Sequence, residues 1–135
     1  MQGYNVIVVF DPARENVLLC RRRKEPYQGL SNFVGGKIEP GEDGLAAAYR
    51  ELWEETAITK EDITLAHFMD LTYYYGFPCQ LEVYAGRLNQ ATDVKGDENE
   101  LYWCSTAANM FDTTRFAGQG NMGHIMALLA LEPGI

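Results

Sequence analysis

Residues 43 to 56 constrain this chain more than any other stretch. They hold no Gly or Pro after Gly44 and are rich in Ala, Leu and Glu, so they favour helix. Glu42 and Asp43 stand at the start, where negative charge suits the helix dipole. At about 100° per residue, Glu54 and Glu55 fall to either side of Glu51 within about 60°, so three carboxylates share one face. Arg50 lies on the edge of that face. Leu45, Tyr49, Leu52 and Trp53 lie opposite and are the expected packing face. Gly44 and Ala47 fall on the carboxylate face one and two turns earlier, and their small size is expected to leave it open to a docking ligand.

The flanking sequence is strand-like. Tyr4–Phe10 is a β-branched apolar run that reads as a buried strand. Asp11-Pro12 breaks it, and Asn16–Cys20 returns as the second strand of a hairpin. Asn32–Val34 reads as a short strand ending at Gly35-Gly36. Residues 63–75 and the alternating Leu81, Val83 and Ala85 read as further strands. Leu101–Cys104 makes a short one, and Asn121–Leu131 a closing helix. Strands mixed with two helices predict an α/β or α+β sandwich. A length of 135 residues suits one domain spanning 1–135.

Composition narrows the function classes. The net charge of −8, from 11 basic against 19 acidic residues, argues against a bulk electrostatic grip on a nucleic-acid polymer. No apolar run approaches the roughly 20 residues of a membrane-spanning helix, so no membrane partner is expected. No secretory signal is expected from the N-terminal residues. Cys20, Cys79 and Cys104 are odd in number and far apart, as for reduced thiols in a cytoplasmic protein. His67 and His124 lack zinc-ligand spacing from any Cys. Gly118-Gln119-Gly120-Asn121-Met122-Gly123 spells G-x-G-x-x-G, but the remaining 12 residues cannot complete a βαβ unit. It reads as a turn opening the last helix, with Asn121 as its cap.

Three clustered carboxylates repel one another, and a bound divalent cation relieves that repulsion. Oxygen ligands of this kind suit Mg²⁺, with Mn²⁺ as the alternative. The wider stretch is Gly36-Lys37-Ile38-Glu39-Pro40-Gly41-Glu42, seven residues, then Arg50-Glu51-Leu52-Trp53-Glu54-Glu55-Thr56-Ala57-Ile58. This resembles the signature of the Nudix hydrolase family, G-x5-E-x7-R-E-U-x-E-E-x-G-U with U apolar. Gly36, Glu42, Arg50, Glu51, Leu52, Glu54, Glu55 and Ile58 all match, which ordinary residue usage would produce roughly once in a million such chains. Ala57 stands where the family has Gly. A left-handed Ala there costs about 1 kcal/mol.

The resemblance implies a mixed β-sheet with helices on both sides. It also implies hydrolysis of a nucleoside diphosphate linked to a further group by attack of water at phosphorus. Glu51, Glu54 and Glu55 would hold Mg²⁺, with the carbonyl of Gly36 or Gly35 as a further ligand. Glu42 and Arg50 would orient the carboxylates. A box carboxylate such as Glu54, or a residue of a later loop, Glu98 or Glu100 with Glu98 preferred of the two, would take the proton. Arg23, within the basic run 21–24, and Lys37 would meet phosphates. Asn32 would read a purine edge, and Trp103 or one of Tyr73, Tyr74 and Tyr75 would stack on the base.

The stretch Asn32–Lys37 looks like that of MutT-type members, so an oxidised purine nucleoside triphosphate such as 8-oxo-dGTP is the first substrate expected. Monophosphate and pyrophosphate would be the products. ADP-ribose, dinucleoside polyphosphates and unmodified dNTPs are the alternatives within the same chemistry. A non-catalytic nucleotide-sensing module is the alternative of another class. The chain is expected to work as a monomer or homodimer.

Overall fold

The computed structural model describes residues 1–96 and 98–135. Its elements run β1 (Gln2–Phe10), β2 (Asn16–Arg21), β3 (Ser31–Phe33), α1 (Gly44–Thr56), β4 (Ala66–Tyr73), β5 (Cys79–Arg87), β6 (Glu100–Ser105) and α2 (Asn121–Leu129). The sheet order is β3-β2-β1-β5-β4, with β6 on the other edge of β2. β1 and β5 run parallel, and the remaining pairs are antiparallel.

One irregularity in this sheet builds the site. β1 pairs with β2 only at the hairpin end, Phe10 opposite Val17, and the two strands then part. Segment 34–38 fills the gap. Ile7 N–H donates to the Val34 carbonyl at 2.9 Å, Asn5 N–H to that of Gly36 at 2.8 Å, and Ile38 N–H to that of Gly3 at 3.0 Å. The Gly35-Gly36 turn is thereby tied to the middle of the sheet.

Alternation along β1 divides the core. Val8 and Phe10 face the α2 layer with Val17, Leu19, Met122, Ile125 and Leu129. Ile7 and Val9 face the α1 layer with Leu18, Cys20, Ala48, Leu52 and Ile58. Helices therefore cover both faces of a mixed sheet, as the family resemblance implied.

The expected packing face of α1 needs correction. Ala47, Ala48, Leu52 and Thr56 are the buried residues, whereas Leu45 is 40% and Trp53 60% exposed. The helix is rotated toward its carboxylate side, so small residues lie against the sheet. Gly44 is small because the start of the helix lies against the Glu82 carboxylate and the Tyr84 hydroxyl. Neither Gly44 nor Ala47 marks an open docking face; both permit close packing. Asp43 caps the helix, accepting from Ala46 N–H at 3.1 Å. Ala57 ends it at φ 66°, in the left-handed conformation that glycine adopts without steric cost.

Candidate active site

The rotation of α1 brings its carboxylates over the Gly35-Gly36 turn. Gly35 N–H donates to Glu55 Oε2 at 3.0 Å. Gly36 lies under Glu51, and a Cβ there would stand 2.6 Å from the Glu51 carboxylate. Only glycine leaves that space. Arg50 ties the acidic groups together. It makes two bonds to Glu42, Nε to Oε2 at 2.7 Å and Nη2 to Oε1 at 2.9 Å. Its Nη1 reaches Glu51 at 3.1 Å and Glu54 at 3.2 Å. Its Nη2 also donates to the Lys37 carbonyl at 3.3 Å. Glu42 Oε1 in turn accepts from Glu39 N–H at 3.0 Å, closing the loop before the helix.

The carboxylates are unequal. The Arg50 hydrogen bonds hold Glu42 down at about 2. Its pairing with Glu42 moves Arg50 further up from an already high value. Burial pushes Glu51 above the usual carboxylate range, against the pull of Arg50. Burial pushes Glu55 further, up to about 7, with Gly35 N–H opposing and the charges of Glu51 and Glu98 adding. A cluster that is costly to ionise, on a turn stripped of Cβ atoms, fits a bound divalent cation.

A cavity of about 160 Å³ opens beside these groups, walled by Glu51, Glu54, Glu55, Glu98 and Leu101 with Cys20. The Cys20 thiol is pushed up to about 11 by burial. A larger hollow of about 360 Å³ lies on the α2 side against Phe10, Met110 and Met126. Its one charged side chain, Arg14, donates to the carbonyls of Leu129, Glu132 and Ile135. Among the described residues it is lined by no carboxylate, histidine or lysine, so the smaller cavity is the chemical one.

The structure separates the residues named from sequence. Glu98 is in the cavity wall. Glu100 pairs with Arg21 at 3.5 Å instead and does not line the cavity. Asp97 lies outside the described residues. The exposed Arg23 is near the cavity, because its N–H donates to Asn99 Oδ1 at 3.2 Å and Asn99 is also in the wall. Asn32 stands opposite Cys20 in the β2–β3 pair, with Oδ1 accepting from Phe33 N–H at 2.9 Å. Lys37 reaches the cluster through its carbonyl. Trp103 lies further off. It packs against the α1-side core opposite Leu18 and is not in the cavity wall. Of the two turn carbonyls, that of Gly36 is committed to Asn5 N–H, while that of Gly35 accepts no hydrogen bond among the described residues. Gly35 is therefore the better oxygen donor of the two.

Tyr74, Tyr75 and Phe77 are exposed at the β4–β5 connection. Phe77 packs on Tyr4 with ring centroids 6.2 Å apart, and Tyr4 bridges to Lys37. This aromatic patch is thus joined to the box turn. Two contributors were not singled out by the sequence reading, although Arg22 lies in the basic run 21–24 named there. Asn5 looks like one more strand residue, and Arg22 is one of four consecutive cations. Only the fold shows that Arg22 lowers the Glu55 pKa. A second acidic group, His67, Asp70 and Glu82, lies on β4 and β5 away from the cavity. It is partnered internally, by His67–Asp70 and Tyr84–Glu82 hydrogen bonds of 2.6 Å each.

Comparison with known proteins gives the family of this fold. The model of the NUDIX domain family matches residues 1–121. A bis(5'-nucleosyl)-tetraphosphatase [asymmetrical] of Caenorhabditis elegans is 31% identical over 96 residues, 67% of either chain. The structure of a C. elegans Ap4A hydrolase binary complex superimposes with a TM-score of 0.79 at 26% identity, over 100% of both chains. A MutT structure from work on Aliivibrio salmonicida and Vibrio cholerae gives 0.71 at 18% identity, over 95% of this chain and 98% of that one, a likeness of fold.

Proposed function

The chain belongs to the Nudix hydrolase family, and we propose that it cleaves dinucleoside polyphosphates, taking a tetraphosphate asymmetrically into a nucleoside triphosphate and a monophosphate. The coarser statement, a hydrolase of phosphoanhydride bonds, follows from the family and its relatives. The finer one rests on a single observation: a complete set of box carboxylates in a chain 31% identical to an asymmetrical tetraphosphatase. The aromatic patch at Tyr74, Tyr75 and Phe77 supports it. A substrate with two nucleosides needs two base platforms, whereas a triphosphate needs one.

Glu51, Glu54 and Glu55 would hold the cation, with the Gly35 carbonyl beside them. A divalent cation bound there supplies charge neutralisation for the polyphosphate and a more acidic water. Arg50 fixes the directions of Glu51 and Glu54 while Glu42 fixes Arg50, so the carboxylates need little rearrangement. Glu98, in the same cavity wall as Glu55, would take the proton from the attacking water. Arg22 and Arg23 supply positive charge at the rim, where the outer phosphates would emerge.

A second reading, an oxidised purine nucleoside triphosphate, is favoured by Asn32 beside Cys20. Its amide can both donate to and accept from a purine edge. The experiment that separates the two is a comparison of kcat/KM with Mg²⁺ on diadenosine tetraphosphate, 8-oxo-dGTP, dGTP and ADP-ribose. The proposal expects the dinucleotide to lead by at least tenfold. A lead for 8-oxo-dGTP would move the assignment to the second reading. Nucleotide binding without turnover on any of them would leave the sensing module.

A further inference from the structure

Asn5 is 3% exposed in the middle of an apolar strand, and its Nδ2 is a buried side-chain donor without a hydrogen-bond partner among the described residues. A buried polar group left unpaired is costly, and an apolar side chain would avoid that cost. The retained amide therefore calls for a reason, and the other half of it supplies one. Asn5 Oδ1 accepts from Gly36 N–H at 2.9 Å, while Asn5 N–H donates to the Gly36 carbonyl at 2.8 Å. Side chain and backbone of one residue thus grip both polar groups of Gly36. The backbone of Asn5 also lies directly under Gly35, where a Cβ would collide with it.

What stands above this turn is the acidic cluster. Glu55 is hydrogen-bonded to Gly35 N–H, and Glu51 rests on Gly36. Across β5, the register neighbour of Asn5 is Glu82. The acceptor beneath Gly36 must therefore be neutral, since an aspartate would add a fourth carboxylate to an already crowded region. It must also reach from the strand to the turn, which a serine or threonine hydroxyl is too short to do. An asparagine meets both requirements and leaves its NH₂ unpaired.

We infer that Asn5 is a positioning residue for the cation site, holding the Gly35-Gly36 turn at the height at which Glu51 and Glu55 converge. The inference rests on the reading of those carboxylates as cation ligands. It assigns Asn5 no contact with substrate or cation. Its effect travels through the turn, so cation affinity should respond more than nucleotide binding or overall stability.

The test is Mn²⁺ titration of the intact chain without nucleotide, followed by the electron paramagnetic resonance signal of free Mn²⁺. Wild type, Asn5→Leu and Asn5→Thr are compared. Val83→Ala serves as a control, since it removes core volume on the α2 side of the same sheet. Amide hydrogen exchange at Gly35 and Gly36 is measured alongside. Both Asn5 variants are expected to bind Mn²⁺ about tenfold more weakly, the lower end for loss of a group that orients ligands. Both should lose protection at Gly36, while Val83→Ala keeps wild-type affinity. Asn5→Thr, with a β-branched residue suited to a strand, is read by the same titration where Asn5→Leu does not fold. Wild-type affinity in either folded variant would overturn the inference alone. Failure of the wild type to bind Mn²⁺ would overturn the cation reading and the inference with it.

Discussion

Glu55 should make the metal-free protein lose stability as the pH rises. Its carboxyl is pushed from 4.5 up to about 7, chiefly by burial. The folded chain therefore holds a proton between those values that the unfolded chain has released. Stability is highest below the unfolded value and falls as the pH passes from 4.5 to 7. A rise from 4.5 to about 7 corresponds to about 3 kcal/mol. Replacing the residue by Gln keeps an acceptor for Gly35 N–H and removes the charge. Urea unfolding in EDTA at pH 5 and pH 8 checks this, comparing wild type with Glu55→Gln. The variant should lie within about 1 kcal/mol of wild type at pH 5 and exceed it by about 3 kcal/mol at pH 8, where Mg²⁺ should restore wild type alone. Taking the difference between the two chains at each pH cancels the titration of the other acids. A gap that does not grow between pH 5 and pH 8 would refute the claim that burial of this carboxyl is costly without a cation.

Other perturbations follow from the same geometry. Glu54→Gln should keep the wild-type melting temperature within a few degrees and lower kcat at least 100-fold, read by steady-state kinetics with Mg²⁺. Ala57→Gly should stabilise the fold by about 0.5–1 kcal/mol, because φ 66° strains alanine and not glycine, and a denaturant melt would show it. Gly36→Ala sets a Cβ 2.6 Å from the Glu51 carboxylate, so calorimetric Mg²⁺ affinity should fall at least tenfold in a folded protein.

Much of this site is legible in the sequence because its chemistry is local. Glu51, Glu54 and Glu55 lie within about one helical turn, and helix periodicity alone places them together. Glu42 and Arg50 require the loop-to-helix spacing of the family signature, and the structure joins them with two hydrogen bonds. The orientation of α1 against the sheet was not legible. Leu45 and Trp53 are apolar, but the wheel does not reveal that Ala47 and Ala48 take their place beside Leu52 against the sheet. The Asn5–Gly36 pair was hidden for a different reason. It joins positions 31 residues apart across a gap between strands, and no periodicity encodes a gap. Trp103 and Glu100 show the same limit within one strand. Alternation assigns them to faces, but only the partner strands show that Trp103 packs opposite Leu18 and that Glu100 meets Arg21.

Substrate class is the least local property, since base-contacting groups lie on separate elements. The aromatic patch at the β4–β5 connection and Asn32 on β3 point to different substrates, and both lie outside the helix that carries the carboxylates. The most direct measurement is product analysis by ion-exchange chromatography after incubating diadenosine tetraphosphate and Mg²⁺ with wild type and with Glu54→Gln. The account predicts equal amounts of ATP and AMP from wild type and no more than about one-hundredth of that rate from the variant. An equal rate from both chains, or ADP as the main product, would contradict it.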